Sequence, residues 1–253
     1  MTLRYSVTYF FALLFVGLTL APTIYAKQLW SDNSLSLLRG NNYEIGAESR
    51  TVLTFEHVSG HSWGDMFLFV DRLESDNDDN ETYWELSPRL SLGKLFNKDL
   101  TMGPVKDVLL TTTAEIAENF THYLIGPAID LNVPGFAYLQ LNVYLRDNEA
   151  FGGATKADAN WQFTPVWGVP FSIGNAQFLY DGFIDWRSGD GDNNTELNFT
   201  SQLKWDMGAL WQSPKVLYVG VEYVYWDTKF GIKDSDALQT DERNLNALIK
   251  VHF

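Results

Sequence analysis

The 253-residue sequence has no cysteine, only 18 basic residues against 32 acidic ones, and no apolar run of spanning length. Without cysteine no disulfide staples the chain, even in an oxidising compartment, so stability rests on one continuous sheet or core. A formal charge of −14 leaves no basic surface for phosphate and excludes nucleic acid as a default partner. The longest apolar stretch, residues 10–20 (FFALLFVGLTL), is eleven residues. A helix rising 1.5 Å per residue needs roughly 20 to cross a bilayer. No helix spans.

That run fits a secretory signal over residues 1–26 instead. Arg4 is its only charge, and Pro22 and Ala26 precede Lys27 as a processing region. Ile24 stands where a small residue is usual, so the signal is better defined than its cleavage point. Residues 27–253 then form a single domain, exported and more acidic still once Arg4 is lost. Aromatic residues make up 15% of the chain, with nine Trp and twelve Tyr. An exported, acidic, aromatic chain without a spanning helix fits a transmembrane β-barrel. Such a barrel uses Trp and Tyr at the two interfaces and places acids in lumen and loops.

Alternation of apolar and polar residues carries this reading. Ala137, Leu139, Leu141, Val143 and Leu145 share one face of 136–146, opposite Tyr138, Gln140, Asn142, Tyr144 and Arg146. Glu196–Met207 repeats the pattern. A tilted barrel strand needs about 9–11 residues. Segments of that order are expected near 33–40, 50–58, 63–72, 82–94, 106–117, 120–131, 136–146, 160–169, 176–187, 196–210, 216–227 and 243–253. The expected fold is therefore all-β, a transmembrane antiparallel barrel of twelve strands with both termini periplasmic.

The connections support the count. Odd ones are long and acidic, as in DRLESDNDDNE and RSGDGDNNTE, except a tight one near residues 118–119; even ones are short or Pro/Gly-rich, as in SGHS, LNVPG and QSPK, apart from a longer turn at 95–105. Long loops on one side and short turns on the other are the pattern of outer-membrane barrels. At the C-terminus, Leu245, Ala247, Ile249, Val251 and the terminal Phe253 fall in one phase. Leu245, Ile249, Val251 and Phe253 are read as the membrane-insertion signal for the barrel assembly machinery.

The block at residues 85–108 (ELSPRLSLGKLFNKDLTMGPVKDV) resembles a segment of the Tsx-like nucleoside-specific channels. WSDNSLSLLRGNNYE, TFEHVSGHSWGDMFLFVD, LNVYLR and the closing aromatic resemble the OmpK branch of that family, in order along the chain. The resemblance implies a monomeric twelve-stranded barrel in the bacterial outer membrane that takes up nucleosides passively and is exploited by bacteriophage as a receptor.

Alternation nominates the lumen lining. Asp65, Phe67, Phe69 and Asp71 share one face of the third strand; Asp181, Phe183 and Asp185 repeat the character on the ninth; Tyr144 and Arg146 lie on the seventh. Aromatics would stack bases and carboxylates would accept ribose hydroxyls, giving the weak, repeated sites a channel needs. The competing reading is that the rings only fill a narrow interior. Glu56, Glu85, Arg89, Glu115, Asp130, Lys204, Asp206, Glu222 and Lys250 are further lumen ionisables, read as cross-strand ladders. Their acidic excess favours cations over anions.

No cofactor and no metal site are expected. The acidic run at residues 76–81 lacks the glycine and glutamate spacing of an EF-hand and reads as loop charge facing lipopolysaccharide. No catalytic residues are expected either. A hydrolase would need a Ser–His pair on the lipid-facing wall; His122 and His252 point inward by alternation, His61 reads as a turn residue, and His57 shows no evident serine partner. The alternatives to a nucleoside channel are a channel for another small solute or cations, and a non-conducting adhesin or phage-receptor barrel.

Overall fold

A computed structural model describes residues 27–147, 160–190 and 193–253. The signal expected at 1–26 and most of the connection at 147–159 lie outside the described residues. Twelve strands follow in order: β1 (Gln28–Gly40), β2 (Arg50–His61), β3 (Gly64–Ser75), β4 (Glu81–Ser91), β5 (Val105–Ala117), β6 (Phe120–Leu131), β7 (Tyr138–Asp147), β8 (Asn160–Ile173), β9 (Ala176–Arg187), β10 (Glu196–Asp206), β11 (Leu217–Asp227) and β12 (Glu242–His252). Each pairs with its neighbours, and β1 closes antiparallel on β12 from Ser34↔His252 to Arg39↔Ala247. Closure removes every open sheet edge, the condition for strands to cross hydrocarbon.

The two faces separate as the alternation requires. Val143 on β7 is 43% exposed on the outer wall, while its neighbour Asn142 is 2% exposed. Leu145, Leu203, Leu245 and Ile249 are also exposed, whereas Arg146, Lys204, Asn246 and Lys250 are buried inside. Polar residues therefore fill the interior and apolar ones cover the outside, the reverse of a water-soluble domain. Trp161 and Trp186 meet edge to face on the outer wall at 5.1 Å, and Trp167 stacks on Phe199 at 5.8 Å.

Turns sort by end. One end, the short-turn end, carries residues 62–63, 92–104, 132–137, 174–175 and 207–216; the other, the long-loop end, carries 41–49, 76–80, 118–119 and 228–241 among the described connections. Both described termini lie at the short-turn end: Ser62 N donates to Lys27 O at 2.9 Å and His252 N to Val216 O at 2.8 Å. Gly174 turns β8 into β9 with φ of 58°, a left-handed conformation that glycine adopts without Cβ strain.

Strand boundaries depart from the alternation where backbone pairing needs no apolar pattern. β1 begins at Gln28, ahead of the expected 33, because the polar WSDN stretch pairs with β2 through a bulge between Gln28 and Trp30. β4 ends at Ser91, whose hydroxyl caps the five-residue helix α1 (Leu92–Phe96) by accepting from Lys94 N at 3.2 Å. β10 ends at Asp206, short of 210. The Asp206 carboxylate accepts from Ala209 N at 3.1 Å and Lys215 N at 2.7 Å, so it organises the turn rather than a lumen ladder. Trp30, at the start of β1, lays its indole over Gly60 on the inner face, where a Cβ would lie 2.1 Å from its Nε1.

Candidate functional site

The interior holds an oblique stair of rings. On β3, Phe67 and Phe69 sit 5.8 Å apart. Phe69 meets Tyr83 of β4 at 5.7 Å, Tyr83 meets Phe120 of β6 at 6.3 Å, and Phe120 stacks on His122 at 4.5 Å. The stair climbs from near the short-turn end of β3 to the long-loop end of β6 because each antiparallel partner is displaced along the tilted sheet. Phe67 remains 36% exposed, so the foot of the stair offers free ring surface inside the barrel. Tyr83 and Phe120 were not nominated by the alternation, although each shares a phase with an inward residue, Glu85 and His122.

The charged lining divides into pairs and lone carboxylates. Arg89 of β4 bridges Asp65 of β3 (2.6 and 2.8 Å) and Asp130 of β6 (2.8 Å). Arg146 holds Glu115 through two bonds of 2.7 Å and also donates to Gln162 Oε1 at 2.5 Å. Lys204 reaches Asp181 at 2.6 Å, Lys250 pairs with Glu56, and Arg187 with Glu196. Removing one member of such a buried pair leaves an uncompensated charge at a cost of about 3–5 kcal/mol. Asp65, Asp181 and Arg146, nominated for the lumen site, are thus paired with Arg89, Lys204 and Glu115 of the expected ladders, and Tyr144 is buried with its hydroxyl 3.0 Å from Thr111 Oγ1.

Asp71 and Asp185 differ. Asp71 accepts from the Thr54 hydroxyl at 2.6 Å, and Asp185 accepts from Thr164 Oγ1 at 2.6 Å and Gln162 Nε2 at 2.8 Å. Neutral donors, not cations, orient these carboxylates. Phe183 lies between Asp181 and Asp185 on the same inward phase of β9, opposite Thr200 and Val166.

Two loops fold over the long-loop mouth. Tyr43 packs on Leu38, Val52 and Leu248, and its hydroxyl donates to Asn246 Oδ1 at 3.2 Å. Burial, with the carboxylates of Glu222 and Glu242 nearby, pushes the Tyr43 phenol well above its usual pKa. From the last loop, Lys229 lies over the Trp226 ring at 4.5 Å and bonds Glu242. Trp226 turns inward and donates from Nε1 to Glu196 at 2.6 Å.

One expectation fails on the outer wall. His57 does have a serine partner: its Nε2 lies 3.1 Å from Ser59 Oγ and its Nδ1 2.8 Å from Asn33 Oδ1. His61 is not in a turn but is the last residue of β2, 2.9 Å from the same Ser59 Oγ. Residues two apart on a strand share a face, so the His57–Ser59 half was legible in the sequence. Asn33 needed the β1–β2 register.

Residues 29–253 match the family described as "Nucleoside-specific channel-forming protein, Tsx". The chain is 26% identical over 212 residues to outer membrane protein OmpK of Vibrio parahaemolyticus serotype O3:K6, covering 77% of each. It is 27% identical over 190 residues to the nucleoside-specific channel-forming protein Tsx of Klebsiella pneumoniae, covering 65% of this chain and 64% of that one. Among solved structures it resembles the NanC porin (TM-score 0.53, 12% identity, 87% of this chain and 98% of that one). It also resembles the KdgM porin (TM-score 0.51, 8% identity, 88% and 99%), and at these identities both likenesses concern the fold alone. Relatives named as outer-membrane proteins and a porin-like closed barrel place the chain in the bacterial outer membrane. With a match over nearly the whole described chain, this protein belongs to the Tsx family of channel-forming outer-membrane proteins.

Proposed function

We propose that the barrel is a passive channel for nucleosides and similarly sized hydrophilic solutes. The observation that carries this is the ring stair from Phe67 to His122, flanked by the Asp71 carboxylate with only a neutral donor beside it. Base–aromatic stacking contributes about 1–3 kcal/mol per base and tolerates different bases. Successive weak sites let a solute step from ring to ring, while Asp71 and Asp185 accept hydrogen bonds from ribose hydroxyls. Asp65, Asp181, Tyr144 and Arg146 act by holding the wall in shape, and Phe183 offers a ring from the opposite side.

In this reading the short-turn end faces the periplasm, and the acidic loops face lipopolysaccharide and, on occasion, phage. Leu245, Ile249, Val251 and Phe253, all exposed on the outer wall, present the insertion signal to the assembly machinery. Single-channel recording in planar bilayers tests the proposal. Thymidine and adenosine are expected to block the current in a concentration-dependent way, and Phe67→Ala or Phe69→Ala to weaken that block about fivefold or more, the lower end of one stacking contact. A barrel that conducts but ignores both nucleosides is a channel for something else. One that does not conduct is a receptor or adhesin, a reading favoured by the interlocked charges of the wall and the two loops folded over the mouth.

A further inference from the structure

Asn33, His57, Ser59 and His61 stand together on the outer wall, in phase with the exposed Leu35 of β1 and Leu53 of β2. None of them lines the interior. Their hydrogen bonds form one directed chain, because the Asn33 side-chain oxygen can only accept. His57 Nδ1–H donates to Asn33 Oδ1 (2.8 Å), Ser59 O–H donates to His57 Nε2 (3.1 Å), and His61 Nε2–H donates to Ser59 Oγ (2.9 Å).

We infer that Ser59, His57 and Asn33 are a nucleophile, general base and orienting residue on the lipid-facing wall, with His61 as oxyanion donor, and that the barrel hydrolyses carboxylic esters of membrane lipids. A nucleophile and base within about 2.6–3.2 Å, the base oriented by a third group, is the geometric signature of this chemistry on unrelated folds. The substrate class follows from place. Ser59 and His61 are among the last three residues of β2, so the site lies at the margin of the apolar belt, where a lipid's ester carbonyls pass from hydrocarbon to headgroup. His61 stacks on Trp63 at 4.7 Å, and Trp is the residue type that anchors such a margin. The orienting residue is fixed by its backbone: Asn33 pairs directly with His57 across β1–β2, and its carbonyl accepts from Phe253 N at 2.9 Å.

Ser59 is 0% exposed, so an ester reaches its oxygen only when the His61 ring turns aside at the strand end. The Nε2–H that His61 now gives to Ser59 Oγ is the donor assigned to the oxyanion. In the first half-reaction the Ser59 proton passes to His57 Nε2, the Oγ–C bond forms, and the ester C–O bond breaks. His57 returns that proton to the departing alkoxide, releasing an alcohol. A water molecule then gives a proton to His57 and its oxygen to the acyl carbon; the Ser59–acyl bond breaks and Ser59 regains its proton. The sum is ester plus water to fatty acid plus alcohol, with no other reactant.

The full barrel, refolded into phosphatidylethanolamine–phosphatidylglycerol vesicles and checked for folding by its heat-modifiable gel mobility, is assayed for fatty-acid release. In parallel, labelling by a fluorophosphonate is read by mass spectrometry. Release and labelling at Ser59 are expected, and both vanish in Ser59→Ala and His57→Gln. His61→Phe keeps a ring against Trp63 but loses the donor, and slows release about 10²–10³-fold. Asn33→Ala slows it about tenfold or more, and Asn33→Asp restores it, a rescue that a purely structural amide would not give. Folded wild-type protein that releases no fatty acid, equal release from Ser59→Ala, or an unchanged rate in Asn33→Ala overturns the inference.

Discussion

Lys229 Nζ lies 2.6 Å from Glu242 Oε2, with the lysine 6% and the glutamate 1% exposed. The same oxygen accepts from Glu44 N at 3.2 Å, so one carboxylate ties the first and last loops together over the mouth. An ion pair this deeply buried is sensitive to loss of one member, at about 3–5 kcal/mol. Lys229→Met and Glu242→Gln are each expected to lower the unfolding midpoint and raise single-channel conductance as the loops detach. Tyr43→Ala, which empties the apolar seat on Leu38, Val52 and Leu248, is expected to raise conductance as well. Unchanged conductance in all three would show that the constriction lies deeper in the barrel.

Arg146 and Glu115 cross from β7 to β5 through two bonds of 2.7 Å, with β6 in between. Arg146→Met alone strands the Glu115 charge and is expected to destabilise the barrel by about 3–5 kcal/mol. Adding Glu115→Gln removes that charge, so the double variant recovers part of the loss. Urea unfolding in lipid vesicles, followed by tryptophan fluorescence, measures both. Equal stability of single and double variants would mean that another donor, such as the Gln162 amide, takes over the stranded carboxylate.

The outer wall gives an opposite prediction three residues away on the same strand. Val143 projects from the middle of β7 into the belt that faces lipid. Val143→Arg is expected to cost about 2–4 kcal/mol in vesicle unfolding, the penalty for a cation near a bilayer midplane. A cost near zero would place this part of β7 outside hydrocarbon.

Much of this was legible in the sequence because side chains two apart share a face. The twelve strands, the inward turn of Asn142, Tyr144 and Arg146 and the inward Phe67 and Phe69 all follow from that period. What the period does not carry is stagger. Arg89 reaches Asp130 across two strands and 41 positions of sequence, a contact set by how far β4, β5 and β6 slide past one another. For the same reason the ring stair was seen at Phe67 and Phe69 but not at Tyr83 and Phe120, which lie at strand ends where alternation fades into loop. Asp206 looked like another lumen acid, yet two backbone N–H groups of the following turn claim it. Asn33 gave no signal at all until β1 and β2 were placed in register.

Asp71 and Asp185 are among the inward carboxylates that accept from neutral donors, with Glu85 and Glu222, and such groups bear on which ions pass. Asp71 and Asp185 face the interior with no cationic partner in hydrogen-bond contact, whereas Asp65 and Asp181 are held by Arg89 and Lys204. A unit charge about 8 Å from a passing ion, at an effective dielectric of about 40, biases it by about 1 kcal/mol, or about fivefold. Asp71→Asn and Asp185→Asn are isosteric and leave the accepting oxygens in place, so each is expected to lower the cation-over-anion permeability ratio by up to that factor without closing the pore. Reversal potentials in a salt gradient read the ratio directly. Asp65→Asn, by contrast, frees Arg89 toward Asp130 and is expected to perturb stability more than selectivity; a selectivity loss there equal to that of Asp71→Asn would show that pairing does not silence a carboxylate in this lumen.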